Sequence, residues 1–333
     1  MPVFLCALAF LISATAVMTP MEVNAQKHLR DDWVRFELSS RASMFMWSAS
    51  SVLEAEHPYE PSRYGPEKAL DGDPSTSWVE GIPGPGTGES YILGVYSVPE
   101  ALGFHNGYAK NRSLFSKNYR VKELSVRVYA AVEVSALATE LVTPYDAKAI
   151  TEGRTIRLAD TMDAQRVRLP FDRSGLRRSM EEFRASDEVK SWNFPLAEEA
   201  GLTGEEGLQR SFRYIIRLEI ADVYTGSTWE DTCIAELWPD YGEVRDVFVS
   251  DNDRTLIMKS PRGEEISTYY PFTSVLTLVE ASPDGEWALL MEEPAYQDEG
   301  RVETEYTVVH VPTGRNLTKQ ILGKAWKVRH GKH

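Results

Sequence analysis

The chain has 333 residues, 42% of them hydrophobic and 11% aromatic, enough for two ordinary globular cores at about 150 residues each. Its 50 Asp and Glu against 36 Lys and Arg give a formal net charge of -14, which argues against nucleic acid as a partner and against tight binding to an anionic membrane. Such acidity also keeps an exported protein in solution.

An apolar run over residues 3–17, then Val23-Asn24-Ala25 before Gln26, predicts a signal peptide spanning 1–25. No Lys or Arg precedes the run, and it is shorter than the roughly 20 residues of a spanning helix. Cleavage would remove Cys6 and leave Cys233 as a lone cysteine, read as a small buried side chain in a strand over 232–238. Residues 26–40 read as a polar linker. From 41 to 240 short β segments follow one another, at 48–53, 91–96, 103–111 (strand then loop), 119–129, 132–141, 155–158, 165–169 and 212–224. In the fourth, Val121, Leu124, Val126 and Val128 face one way and the Lys and Arg the other. Many short strands separated by turn residues predict an antiparallel sandwich or barrel.

The pattern breaks between about 171 and 209, where Leu176, Met180 and Phe183 stand at helical spacing, so this block reads as a helical insertion returned by the glycine-rich 201–207. Residues 241–333 change texture again. Ser282-Pro-Asp-Gly-Glu-Trp287 resembles the hairpin of a β-propeller blade, but about ninety residues are too few for four blades, and a small antiparallel meander with a basic tail is expected.

The most informative stretch is 64–78, a Gly/Pro-rich loop holding Asp71-Gly-Asp-Pro74, Thr76 and Trp78. Asp71, Asp73 and Thr76 place hard oxygens two and three residues apart, suited to a calcium-sized ion; an Asx turn without metal is the other reading. Trp78 reads as core. Catalytic signatures are sparse. His28, His57, His105, His310, His330 and His333 have neither metal-ligand spacing nor a triad context, and the Gly81–Gly88 loop lacks the Lys-Ser/Thr ending of a phosphate loop. Glycosidase carboxylates pair in space rather than in sequence, so a hydrolase stays open.

Three motifs occur in order over roughly 45–238: the Asp71 loop, Asn106-Gly-Tyr-Ala-Lys110 with Asn118-Tyr-Arg-Val-Lys-Glu-Leu124, and Ile220-Ala-Asp-Val-Tyr-Thr-Gly226 running on to Thr232. Together they resemble the glycan-binding domain family first named from NADase toxins, a discoidin-like, galactose-binding-like group. The resemblance implies a mainly β protein: a jelly-roll β-sandwich with the helical insertion, plus a small C-terminal antiparallel β domain. It further implies a structural Ca2+ at Asp71, Asp73 and Thr76, with Glu236 as a late glutamate ligand and main-chain oxygens near Lys68 completing the shell. The extra block at 171–209 and Cys233 depart from the family pattern.

A sugar site needs an aromatic face and planar polar groups. Tyr108, Lys110, Asn111, Arg120, Tyr224 and Trp229 offer these, although each also has a structural reading, Arg120 for instance as the partner of Glu123 or Asp222. The expected protein is exported, either secreted or held in the periplasm or at the cell surface. It is expected to be non-catalytic and to bind a glycan or glycoconjugate, with no integral membrane segment once mature. The alternatives are a protein-interaction scaffold of the cell envelope, using the acidic insert at 186–206, and a hydrolase with unrecognised carboxylates. A toxin remnant is the weakest, because the residues after Pro239 are too few for an NAD-cleaving domain.

Overall fold

The computed structural model describes residues 32–39, 45–55, 62–134, 137–190, 212–271, 274–294, 301–322 and 326–331. The expected signal peptide (1–25) and the glycine-rich return (201–207) lie outside them. Among the described residues eleven strands build the first domain: β1 (Trp33–Ser39), β2 (Met46–Ala49), β3 (Trp78–Val79), β4 (Ser90–Val95), β5 (Ala101–Asn106), β6 (Tyr119–Glu133), β7 (Val142–Ala149), β8 (Arg154–Arg157), β9 (Gln165–Arg168), β10 (Phe212–Tyr224) and β11 (Thr232–Asp240). One face has the order β2-β4-β10-β6; β11, β5 and β9 form the other, with β3 beside β11. A short parallel contact of β6 with β11 joins the two. The protein is thus a mainly β sandwich of the expected discoidin-like kind.

Alternation explains the core. Val121, Leu124, Val126 and Val128 are all fully buried in the sandwich interior. The three-residue step from Val121 to Leu124 would put them on opposite faces of a regular strand. Register shifts in the β10–β6 ladder at Ile220, Asp222 and Val223 absorb the extra residue. Farther along β6, Tyr129 and Ala131 face outward yet are buried, packed with Phe36, Leu38, Tyr145 and Ile215 in a second, smaller core.

That second core corrects two expectations. Part of the linker proposed for 26–40 is strand β1, paired with β7 from Trp33↔Lys148 to Ser39↔Val142. The strand expected over 132–141 is divided, since β6 ends at Glu133 and β7 starts at Val142. The first follows from pairing across more than a hundred residues, which the local charged sequence does not signal, and the second from a local hairpin in which Glu133 pairs with Tyr145. Arg35 grips the fully buried Asp146 across this ladder, Nε to Oδ1 and Nη2 to Oδ2, both at 2.9 Å.

The described helices of this domain include α1 (Arg112–Lys117) and α2 (Arg173–Ala185). α2 is the expected insertion helix. Asp172 caps it by accepting from Ser174 N at 3.1 Å, and Leu176, Met180 and Phe183 are its buried stripe. Phe183 meets Trp33 and Phe212, at ring-centroid distances of 5.5 and 6.2 Å.

The C-terminal domain is antiparallel β with a short helix. One sheet holds β12 (Asp246–Val249), β13 (Leu256–Lys259) and β14 (Glu265–Tyr269). The other holds β15 (Ser274–Ala281), β16 (Trp287–Pro294), β17 (Arg301–His310), β18 (Arg315–Asn316) and β19 (Trp326–Gly331), with α3 (Thr318–Leu322) after β18. Their shared core centres on Leu256, Met258, Ile266, Leu276, Leu290 and Val309. The hairpins β12–β13 and β15–β16 turn on the same device. Ser250 Oγ and Ser282 Oγ reach the Asx side chain two residues on, Asn252 at 2.7 Å and Asp284 at 2.5 Å, and accept from the N–H five residues on. The blade-like hairpin recognised at Ser282 therefore has a second copy at Ser250, hidden because only Ser and Asp/Asn persist. Phe45 packs against the cores of both domains.

Candidate functional site

The Asp71 loop is built from its own hydrogen bonds. Asp71 Oδ1 accepts from Asp73 N and Asp73 Oδ1 from Ser75 N, both at 2.9 Å, so two Asx turns follow one another. The Ser75 hydroxyl, and after it the Ser75 N–H, hold the Asp73 carboxyl below its usual range. Around Thr76 Oγ1 lie Asp71 Oδ2 at 2.9 Å, Asp73 O at 3.0 Å and Lys68 O at 3.3 Å. A hydroxyl has one proton to donate, so carboxylate, hydroxyl and main-chain oxygens converge in larger number than it can satisfy.

Glu236 arrives from β11. It is 1% exposed, its Oε1 has no hydrogen-bond partner, and its Oε2 lies 3.7 Å from Arg315 Nη2. Burial pushes its carboxyl up to about 8; Arg315 pulls it back and the neighbouring Asp71 charge adds to the rise. Among the described residues no three His, Cys, Asp or Glu side chains form a metal cluster. The mixed oxygen set and the orphaned buried Glu236 oxygen nevertheless fit a hard cation. Asp73 is the poorest fit, because its carboxylate is spent on Ser75 N and its main-chain oxygen faces Thr76 instead.

The sugar candidates divide. Asn106 is buried and splints β6: Nδ2 donates to Val121 O at 2.7 Å, while Oδ1 accepts from Val121 N and Gly107 N. Gly107 turns the chain at φ 68°, where a Cβ would lie 2.4 Å from Arg120 Cγ. The half-buried Tyr108 follows, its phenol pushed up by burial beside Tyr64 and Arg63. Lys110 is exposed and near enough to Asp73 to draw its carboxyl down. Asn111 is also exposed, and it caps α1 by accepting from Leu114 N at 2.9 Å.

Arg120 is turned inward and fully engaged. Its Nε and Nη2 hold Asp160 at 2.9 and 2.8 Å, and Nη1 donates to Asn118 O and Thr225 O. Its carboxylate partner is therefore neither Glu123, held by Arg157, nor Asp222, held by Lys122. This side chain clamps the 225 loop to β6 and offers nothing to a ligand. Tyr224 is partly buried, its hydroxyl donating to Leu158 O at 3.1 Å.

Trp229 is different. It is 41% exposed, with Lys117 Nζ 5.4 Å from its ring. Main-chain bonds from Ser227, Thr228 and Trp229 to Ser116 and Lys117 strap its loop to α1. The structure thus offers two accessible clusters beside the 107–118 loop, Tyr108 with Arg63, Tyr64 and Lys110, and Trp229 with Lys117. Sequence reasoning missed Arg63 and Lys117, which no motif marks, and gave Tyr64 no role although it opens the 64–78 stretch; folding brings the three there. Trp78 is core as expected, fully buried and edge-on to Tyr91, and the Cys233 thiol is buried and pushed well up.

Clefts of unequal size lie between the domains. One, about 790 Å³, includes among its lining charges the pairs Arg166 with Asp240, Arg168 with Glu100 and Arg173 with Glu264. Another, about 240 Å³, lies by the Asp71 loop between Phe45, Glu236, Trp238, Tyr269, Tyr270 and Arg315.

Residues 42–239 match the family described as NAD glycohydrolase translocation F5/8 type C domain. The chain belongs to this family. Membership makes the sandwich an F5/8 type C, discoidin-like module. No curated protein matches the chain. Among solved structures it is similar to a Ruminococcus gnavus GH29 fucosidase in complex with fucose, at 10% identity and TM-score 0.23 over 58% of this chain and 24% of that one. It is also similar to the arabinofuranosyltransferase AftD from Mycobacteria, at 9% identity and TM-score 0.28 over 74% of this chain and 16% of that one. The chain thus spans under a quarter of either protein's length, and neither likeness bears on what the F5/8 type C domain does here. Among the described residues no helix is long and apolar enough to cross a membrane.

Proposed function

We propose that this is an exported, non-catalytic carbohydrate-binding protein that recognises a glycan or glycoconjugate through the loops beside α1, with Ca2+ as a structural ion at the Asp71 loop. The observation that carries the reading is Trp229, a large aromatic face held open to solvent on a loop tied to α1, with a cation at its side. A fixed aromatic face suits the apolar side of a pyranose, and the amine of Lys117 suits its hydroxyls. Tyr108, Lys110 and Asn111 extend the surface; Arg120 supports it from inside. Binding rather than catalysis accords with two of the carboxylates near these loops holding cations already: Asp160 holds Arg120 and Asp222 holds Lys122. For the ion, Asp71, Thr76, Lys68 O and Glu236 supply hard oxygens, and its role is to steady the loop.

A glycan array probed with the purified protein, in calcium and then in chelator, tests this. Saturable binding to one sugar class, lost in Trp229→Ala with the melting temperature unchanged, is the expected result. A blank array from folded protein overturns the glycan reading in favour of a protein-binding scaffold.

A further inference from the structure

Glu236 is a carboxylate with two claims on it. A buried carboxylate is costly to ionise unless it is paired and hydrogen-bonded. Among the described residues the cation beside it is Arg315, and their 3.7 Å separation exceeds the roughly 2.7–2.9 Å of a charge-assisted hydrogen bond. Arg315 comes from the other domain, on β18, with its guanidinium 4.4 Å from the centre of the Trp238 ring and its side chain 21% exposed. The C-terminal domain also touches the loop itself, where Gln320 Nε2 donates to Gly72 O at 2.8 Å.

The domain therefore lays a tethered positive charge against the carboxylate that the cation loop would draw on. An ion bound to Glu236 at the usual 2.3–2.6 Å would stand within about 6 Å of the Arg315 guanidinium. At that distance, in a largely buried cleft, the repulsion between a divalent ion and a guanidinium is substantial. We propose that Arg315 is a built-in competitor for the divalent cation. Arg315 and the ion use Glu236 alternately, so cation binding turns Glu236 into the loop and frees the β17–β18 hairpin from the first domain. The inference rests on the cation reading of the Asp71 loop, and it makes the C-terminal domain a responder to divalent ions.

The test is calcium titration by calorimetry of the full chain and of Arg315→Gln and Arg315→Lys, with amide exchange over 308–317 followed with and without calcium. Arg315→Gln is expected to bind calcium about tenfold or more tightly, and Arg315→Lys within about threefold of wild type. Calcium should speed exchange over 308–317 in the wild-type protein and change little in Arg315→Gln. Equal calcium affinity in wild type and Arg315→Gln overturns the competition and leaves the ion site standing. No calcium binding in any of the three overturns both. Should Arg315→Gln fail to fold, wild-type exchange decides: faster with calcium supports the proposal, and unchanged overturns it.

Discussion

Glu80 is fully buried just after β3, its carboxylate accepting from Ile82 N at 2.9 Å and Thr232 N at 3.2 Å. Burial pushes this carboxyl up; the two main-chain donors pull it back, and the charges of Asp231 and Glu89 add to the rise. In the unfolded chain a glutamate titrates near about 4.3. The folded protein therefore holds the proton over a pH range in which the unfolded chain has released it. The contribution to stability is fully present below about pH 4.3 and is lost as pH rises through the folded value. Glu80→Gln removes this slope. It also leaves one main-chain donor short of an oxygen, at about 1 kcal/mol with little dependence on pH. Urea midpoints of both proteins from pH 4 to pH 8 should show the variant gaining on wild type as pH rises. Parallel curves would mean that Glu80 is ionised throughout. At this scale the motifs were legible but the roles were not. The turn chemistry of Asp71 shows in the residues themselves, whereas Arg120 reads as a ligand residue until Asp160, forty positions away, closes on it.

The elements were legible where hydrophobic period and local turns agree. The spacing of Leu176, Met180 and Phe183 announces α2, and the structure seats that stripe on the main core. Phe183 fills the space between Trp33 and Phe212, so Phe183→Ala should cost about 3–4 kcal/mol. Denaturant unfolding checks this, and a loss under about 1 kcal/mol would mean that α2 is not docked as described. β1 was not legible: its strand character comes from a ladder with β7 more than a hundred residues away. Gly103 is a similar case. It has no signature in sequence, yet a Cβ there would lie 1.9 Å from Trp238 Cε2 on the paired strand.

At the scale of the molecule, the C-terminal domain is held by named contacts rather than by a linker alone. Glu264 takes Arg173 at 3.3 Å and Arg177 at 2.8 Å, both from α2. Tyr241 N donates to Pro312 O at 2.9 Å, and the Tyr241 ring is buried in the C-terminal core. Glu264→Gln weakens both ion pairs. As partly exposed pairs they are worth about 1 kcal/mol together, enough to loosen docking without unfolding either sheet. Calorimetric melting should show a single transition in wild type and a low-temperature shoulder in the variant. An unchanged single peak would place the coupling elsewhere in the interface.

By itself, the sequence determined the β-rich class, the discoidin-like motifs, the insertion helix and the Asp71 turn. These depend on period and on short-range hydrogen bonding, which neighbouring residues specify. Only the tertiary structure decided that Arg120 is spent inside, that Trp229 is open with Lys117 beside it, that β1 closes a second core, and that Arg315 reaches Glu236 from another domain. Each of these depends on burial and on pairing between segments far apart in the chain, which local spacing does not encode.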